Sequence, residues 1–411
     1  MTKLMEVELN LHQLIIYRNL LKDGIIQDVI KLMKGLKDSQ SREDLENLYY
    51  DIYGKLVQNA ERKQIRGDLW KNYLIELIAR DENVFSLRCE KGENALQHSL
   101  KDFVLHDIKV LRRLYQLDWQ EIKRRIGIQD ELEIGDFYPE GAFLSEFCFE
   151  YYQRLRKLGE AFQEENSPAA LLQHIMNYYA DAGCGDFARY AAFYWDKGLV
   201  GIPDPDPIQL EDLIGYEYQK EILMKNTEAF VKGKKANNVL LYGEKGTGKS
   251  SSVKALLNRY AKDGLRMIEL SKGQLADFYK IIQQIRDRGQ RFIIFMDDLS
   301  FEDFETEYKY IKALIEGGLQ KKPENVLIYV TSNRKHLIRE SWKDREGSEG
   351  EVRMTDSVQE KLSLADRFGI VITYLSPAQE EYLGIVQALA KKNGIDMPAE
   401  ELRKRAIQWE M

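Results

Sequence analysis

The 411-residue sequence is poor in cysteine and proline, with three and eight of each, and it has no excess of positive charge. No apolar run approaches the ~18 residues of a membrane span, and Glu6 and Glu8 stand where a signal peptide would need its apolar stretch. The expectation is a cytoplasmic protein with no membrane partner. Cys89, Cys148 and Cys184 are odd in number and widely spaced, without a C-x-x-C pair. They point to neither a disulfide framework nor a zinc site, and read as buried free thiols. Residues 1–200 carry 27 Lys+Arg against 33 Asp+Glu, and residues 201–411 carry 33 against 34. Neither half has the basic balance of a sequence-independent nucleic-acid binder, so nucleic acid is not indicated as a partner. The run Lys123, Arg124 and Arg125 reads as a solvated helix face.

What is present is an ordinary globular composition, 44% hydrophobic and 31% charged, in a chain long enough for two or three domains. Apolar residues recur at helical spacing in the first 200 residues, as in Leu45, Leu48, Tyr49, Ile52 and Leu56, and in Val104, Ile108, Leu111 and Tyr115. A further helix has Ser167 as N-cap, Pro168 in its first turn and Gly183 and Gly185 near its end. His12, His98, His106 and His174 lack metal-ligand spacing. This half carries no motif with chemistry attached, and reads as a helical domain, 1–200, that binds a protein partner.

Pro203, Pro205 and Pro207 alternate with acids and mark a linker, 201–208. Beyond it, five short branched runs alternate with helical patterns: Val239 to Tyr242, Leu265 to Leu270, Phe292 to Met296, Val326 to Val330 and Ile370 to Tyr374. They predict a five-stranded parallel sheet covered on both faces, in an α/β domain over 209–376. A last segment, 377–411, reads as a partial helical lid, with Ser376 as N-cap and Pro377 in the first turn.

Between the first run and its helix, Gly243, Glu244, Lys245, Gly246, Thr247, Gly248, Lys249 and Ser250 match G-x-x-x-x-G-K-[ST]. Glycines let successive N–H groups turn toward phosphates, the helix N-terminus adds its dipole, Lys249 reaches the β/γ-phosphates and Ser250 ligates Mg²⁺. Ser251 follows in the same helix start. The apolar strand "RFIIFMDDLSFE" ends in Asp297 and Asp298, 48 residues after Lys249, as a strand would whose first acid holds Mg²⁺ and whose second orients the attacking water. The ligands expected are ATP or ADP with Mg²⁺.

Here the sequence resembles the AAA+ ATPase superfamily of α/β P-loop NTPases. "NVLIYVTSNRKHL" ends its strand in Asn333, similar to the sensor 1 residue, and "EKLSLADRFGIVITYL" sets Arg367 before the last strand, similar to an arginine finger. "IQLEDLIGYEYQKEILMKNTEAF" resembles the segment whose apolar residues, here Leu213 and Ile214 beside Gly215, pack near the adenine. The wording of these stretches resembles a bacterial family of uncharacterised AAA+ ATPases catalogued as domain of unknown function 815, strongly over 200–411 and weakly elsewhere. The resemblance implies an ATPase that assembles as a homo-oligomer through this domain, with Arg367 of one subunit serving the nucleotide on Lys249 and Ser250 of the next.

Three departures from the AAA+ pattern stand out. Asp298 replaces the usual glutamate, so hydrolysis is slow or Glu302 assists. Only 35 residues follow Ser376, so the lid reads as cut short, and Arg403 and Arg405 are poor substitutes for a sensor 2 arginine. The stretch "SKGQLADFYKIIQQIRDRG" lacks an aromatic, apolar, glycine pore loop, which counts against threading of polypeptide. The polar connection 339–360 reads as a surface loop, with a contact to a partner or neighbouring subunit as the alternative. Remodelling of a protein partner is the leading expectation. A nucleotide-dependent switch that hydrolyses rarely is the alternative, and a DNA loader or helicase-like motor follows it. A small-molecule kinase has no need of the Asp-Asp, Asn333 and Arg367 series.

Overall fold

The computed structural model describes residues 11–92, 98–129, 136–140, 145–165, 167–301, 311, 323–334, 337, 365 and 367–410. The chain divides into two compact units, Met1–Tyr190 and Ala191–Met411.

The first unit is helical: α1 (Gly24–Lys37), α2 (Arg42–Lys63), α3 (Leu69–Arg80), α4 (Val84–Glu90), α5 (His98–Tyr115), α6 (Trp119–Ile126), α7 (Glu146–Glu164), α8 (Pro168–Ala182) and the short α9 (Asp186–Arg189). A two-residue bridge joins β1 (Gly67–Asp68) to β2 (Asp136–Phe137). Side-chain caps explain where helices begin, because the first N–H groups have no partner in the helix. Asp23 accepts from Ile25 N and Ile26 N at 3.0 Å, Asp68 from Lys71 N at 2.8 Å, and Ser167 from Ala170 N at 3.4 Å. Trp70 and Trp119 meet edge to face at 5.3 Å, and Tyr53 packs on Trp119 at 5.1 Å. The buried Asp107 carboxylate accepts the backbone N–H groups of Ile15, Ile16 and Tyr17 at 2.7–3.0 Å, tying the start of the described chain to α5. Of the basic run in α6, Arg124 and Arg125 pair with Glu121, while Lys123 is buried rather than solvated.

The second unit is built on a sheet of β3 (Ala192–Trp195), β4 (Leu199–Ile202), β5 (Val239–Gly243), β6 (Leu265–Glu269), β7 (Arg291–Met296), β8 (Val326–Ser332) and β9 (Ile370–Tyr374). The spatial order is β4-β3-β6-β7-β8-β5-β9, parallel throughout except for the β3–β4 hairpin. Among the described residues the sheet therefore has seven strands rather than five. The two additional strands lie upstream of Pro203, β3 inside what reads from sequence as the helical half and β4 running from it into the expected linker. Their signal is short: "AFYW" and "LVGI" around Asp196-Lys197-Gly198, where Lys197 is left-handed at φ 56° and Asp196 N donates to Gly198 O at 2.9 Å. Four-residue strands cannot be told from helix segments by periodicity alone. Of the expected linker, 201–208, Gly201 and Ile202 belong to β4 and residues 203–208 form no regular element.

Helices α10 (Glu217–Val231), α11 (Lys249–Tyr260) and α12 (Phe278–Ile285) accompany the sheet, followed by α13 (Gln379–Lys392) and α14 (Ala399–Glu410). The strands are continuous apolar runs, and every residue of β8 is buried, as fits a parallel sheet covered on both faces. Tyr329 in β8 bonds Asn226 Nδ2 at 2.9 Å and Thr227 Oγ1 at 2.8 Å, which fixes α10 to the sheet. The start of α13 differs from the sequence expectation. Its N-cap is Ala378, whose N–H donates to Glu381 Oε2 at 3.0 Å, because the Ser376 hydroxyl is spent on Glu244.

Candidate nucleotide site

Three neighbouring parallel strands end together: β7, β8 and β5. Crevices at the carboxyl ends of such strands are the places where open α/β sheets bind ligands. The chain leaves β5 through Gly243, whose φ of 148° is accompanied by an approach so close that a Cβ would lie 1.8 Å from Tyr374 O. Only glycine fits. Gly246 and Gly248 are left-handed at 83° and 85°, and α11 starts at Lys249 with Gly248 as its N-cap. Thr247 Oγ1 closes the turn on Glu244 O at 2.8 Å.

Lys249 is 6% exposed, and its ammonium donates to Gly243 O at 2.8 Å, Glu244 O at 2.6 Å and Asn333 Oδ1 at 3.1 Å. All three of its donors are used, and every acceptor is a neutral carbonyl-type oxygen. Burial pulls its pKa below the usual lysine value, against the opposing pull of Asp298 and Asp297. The ammonium's direct hydrogen-bond partners are thus all uncharged.

Asp297, just past β7, places Oδ1 2.5 Å from Ser250 Oγ and 2.5 Å from Thr331 Oγ1, both donating to it. Asp298 is left-handed at φ 47°. Its N–H donates to Thr331 Oγ1 at 2.8 Å, and its Oδ1 accepts Asn333 Nδ2 at 2.6 Å. A continuous polar chain therefore runs Ser250, Asp297, Thr331, Asp298, Asn333, Lys249. Thr331 was not among the residues singled out from sequence. Its signal was its place two residues before Asn333, which directly follows the last residue of β8, Ser332.

The supporting contacts reach the neighbouring strand and segment. Tyr374 OH donates to Ser252 Oγ at 2.9 Å, and Ser252 Oγ donates to Gly248 O at 2.8 Å, bracing the start of α11. Burial pushes the Tyr374 phenol up to about 12. Ser376 donates to Glu244 Oε2, and Lys392 at the end of α13 pairs with Asp212. Leu213 packs beneath the cradle, its Cδ2 3.7 Å from where a Cβ on Gly248 would be. Ile214 and Gly215 instead line an adjoining cleft of 1030 Å³ with Tyr216, Leu375, Pro377 and Ile385.

Arg367 stands apart from this cluster. It precedes β9, whose Ile370 is level with Val239 and whose Tyr374 is level with Gly243. The strand between those levels spans about 13 Å at ~3.3 Å per residue, so Arg367 sits toward the opposite end of the sheet from the glycine turn. Arg403 and Arg405 pair with Glu380 and Glu401 on the exposed surface of α13 and α14. Glu302, Asp366 and the connection 339–360 lie outside the described residues.

Ser250 Oγ and Asp297 Oδ1 together make a pair of hard oxygen donors, the set Mg²⁺ accepts when substrate phosphates complete its shell. Among the described residues no group of three His, Cys, Asp or Glu side chains could hold a metal alone.

A family profile described as "Protein of unknown function (DUF815)" matches residues 188–411. No curated protein matches the chain. Among solved structures, the RuvB Holliday junction branch migration motor of Thermotoga maritima is 18% identical with a TM-score of 0.35, covering 49% of this chain and 58% of that one. Two single-residue variants of the same protein give TM-scores of 0.35 at 19% and 18% identity. The chain spans less than two thirds of the length of these structures.

Proposed function

The chain belongs to the DUF815 family, and from the geometry of its site we propose that it is an AAA+ ATPase that binds ATP with Mg²⁺ and hydrolyses it to ADP and phosphate. The observation that carries this reading is the polar chain from Ser250 to Lys249, which gathers the ends of β5, β7 and β8 around one glycine-rich turn.

Each residue has a definable task. The backbone of 243–248 turns its N–H groups toward phosphate, and the first turn of α11 adds its positive end. Lys249 exchanges carbonyl acceptors for phosphate oxygens, which are stronger, charge-assisted partners for an ammonium held in a buried place. Ser250 and Asp297 would hold Mg²⁺, which when bound neutralises charge on the phosphates. Asp298 orients the attacking water and takes up its proton, while Asn333 holds the Asp298 carboxylate beside Lys249. Ile214 and Gly215 border the base, and the lid segment 377–411 closes over it.

Arg367 completes the site in trans. Its place toward the far end of the sheet from Lys249 supports action on a neighbouring subunit's nucleotide, where a transition-state arginine contributes roughly 10³ to 10⁵ in rate. The helical unit then recognises the protein partner that turnover remodels.

One observation favours a second reading, a switch that binds ATP and hydrolyses it rarely: Asp298 Oδ1 is already engaged by Asn333 at 2.6 Å. ATP turnover per subunit across a wide range of protein concentration separates the two. Turnover that rises with concentration, is lost in Lys249→Ala and in Arg367→Ala, and partly returns when the two variants are mixed supports the assembling ATPase. Tight ATP binding with negligible turnover at every concentration leaves the switch.

A further inference from the structure

Asp298 stands where AAA+ proteins usually carry glutamate, and its backbone accounts for the shorter acid. At φ 47° it occupies the left-handed region, which aspartate and asparagine enter more readily than other residues with a side chain. The Asp298 N–H is held by Asp297 Oδ1 at 3.1 Å and, more closely, by one hydroxyl. Thr331, 1% exposed at the end of β8, accepts the Asp298 N–H on its Oγ1 at 2.8 Å and donates the hydroxyl proton to Asp297 Oδ1 at 2.5 Å. Its carbonyl also accepts Leu299 N at 2.8 Å, so the strand grips the turn on both sides of Asp298. The turn points the Asp298 carboxylate at Asn333 Nδ2, 2.6 Å away, whose own Oδ1 is 3.1 Å from the Lys249 ammonium.

We infer that Thr331 is a positioning residue for both acids, holding Asp297 toward Ser250 and Asp298 toward the reacting phosphate, and that residue 298 is aspartate because this braced left-handed turn selects it. The inference rests on the ATPase reading above. A hydroxyl is required, since the task uses one donor and one lone pair of the same oxygen. Valine has the same shape and neither, and serine keeps both. Glutamate at 298 would add a methylene at a backbone conformation it disfavours, and would carry the carboxylate past Asn333.

The test uses the full chain with Thr331→Val, Thr331→Ser, Asp298→Glu and Lys249→Ala. ATP affinity is measured with and without Mg²⁺ by fluorescent-nucleotide titration, kcat at saturating ATP, and folding by melting temperature. Thr331→Val should bind metal-free ATP like the parent, lose several-fold of the affinity gained from Mg²⁺, and lose roughly 10- to 100-fold in kcat, the scale of a misplaced catalytic group. Thr331→Ser should restore most of both, and Asp298→Glu should be slower than the parent. A hydrolysing parent whose Thr331→Val variant keeps its Mg²⁺ gain and kcat, or whose Asp298→Glu variant is faster, overturns this inference alone. A parent that binds ATP no better than Lys249→Ala overturns the ATPase reading itself.

Discussion

Two buried basic clusters, one in each unit, are answered in opposite ways. In the helical unit, Glu76 is 1% exposed and meets Lys63 at 2.6 Å, Arg189 at 3.7 Å and Arg80 at 3.9 Å, while Arg80 also reaches Asp186 at 2.7 Å. These charges answer one another across α2, α3 and α9. In the α/β unit, the buried cation Lys249 is answered by carbonyl oxygens at the open end of the sheet. A cation paired with a buried carboxylate has nothing to gain from an incoming anion. One held by neutral acceptors at the open end of the sheet does, and that difference is the ground for reading the Lys249 cluster, and not the Glu76 cluster, as a candidate site.

The comparison can be broken most forcefully at Glu76. Glu76→Ala leaves Lys63 and its neighbours without their buried counter-charge and is expected to cost about 3–5 kcal/mol, read as an earlier unfolding transition of the helical unit, with ATP affinity unchanged. Lys249→Ala should do the reverse. It removes a charge-assisted contact worth about 1.5–3 kcal/mol, so nucleotide titration should show affinity falling roughly 10- to 100-fold, while the melting temperature barely moves. If Glu76→Ala weakened nucleotide binding as strongly as Lys249→Ala, the contrast between the units would fail.

Smaller changes sharpen it. Tyr374→Phe removes the hydroxyl that braces Ser252 and should cost about 1 kcal/mol, with a matching small loss of ATP affinity because the start of α11 loosens. The least effect is expected at Asp28. Burial raises its pKa, but hydrogen bonds from Lys31 and Lys55 outweigh that and hold it below the usual 3.8. A depressed carboxylate stabilises the fold above its ordinary value and loses that contribution as pH falls through the folded one. Thermal melts of the parent between about pH 5 and pH 3 should therefore decline more steeply than those of Asp28→Asn. A parallel decline in both would remove Asp28 from the account.

The glycine turn was legible because its pattern is local: glycines at 243, 246 and 248, then Lys249 and Ser250, all fall within eight residues at fixed spacing. Asp297, Asp298 and Asn333 were legible because each ends an apolar strand. Thr331 was not, since a threonine inside a strand reads as a strand former until its neighbours across the sheet are known. The start of α13 was misplaced for a similar reason, a serine before a proline being the common sign of a cap, whereas here a residue 132 positions away takes the hydroxyl. The β3–β4 hairpin was hidden by the proline-rich stretch after it, which looks like the obvious break.

The sequence by itself determined the strands' buried character, the glycine turn and the order of the polar residues that follow the strands, because these depend on the period of apolar residues and on backbone freedom within a few positions. Only the tertiary structure decided which strands are neighbours. Placing β8 between β5 and β7 lets Asn333 bridge Lys249 and Asp298 and puts Thr331 between the two acids, while the parallel pairing of β9 with β5 sets Arg367 toward the far end of the sheet. Lateral order and register are set by long-range packing of the two sheet faces, which no window of sequence contains.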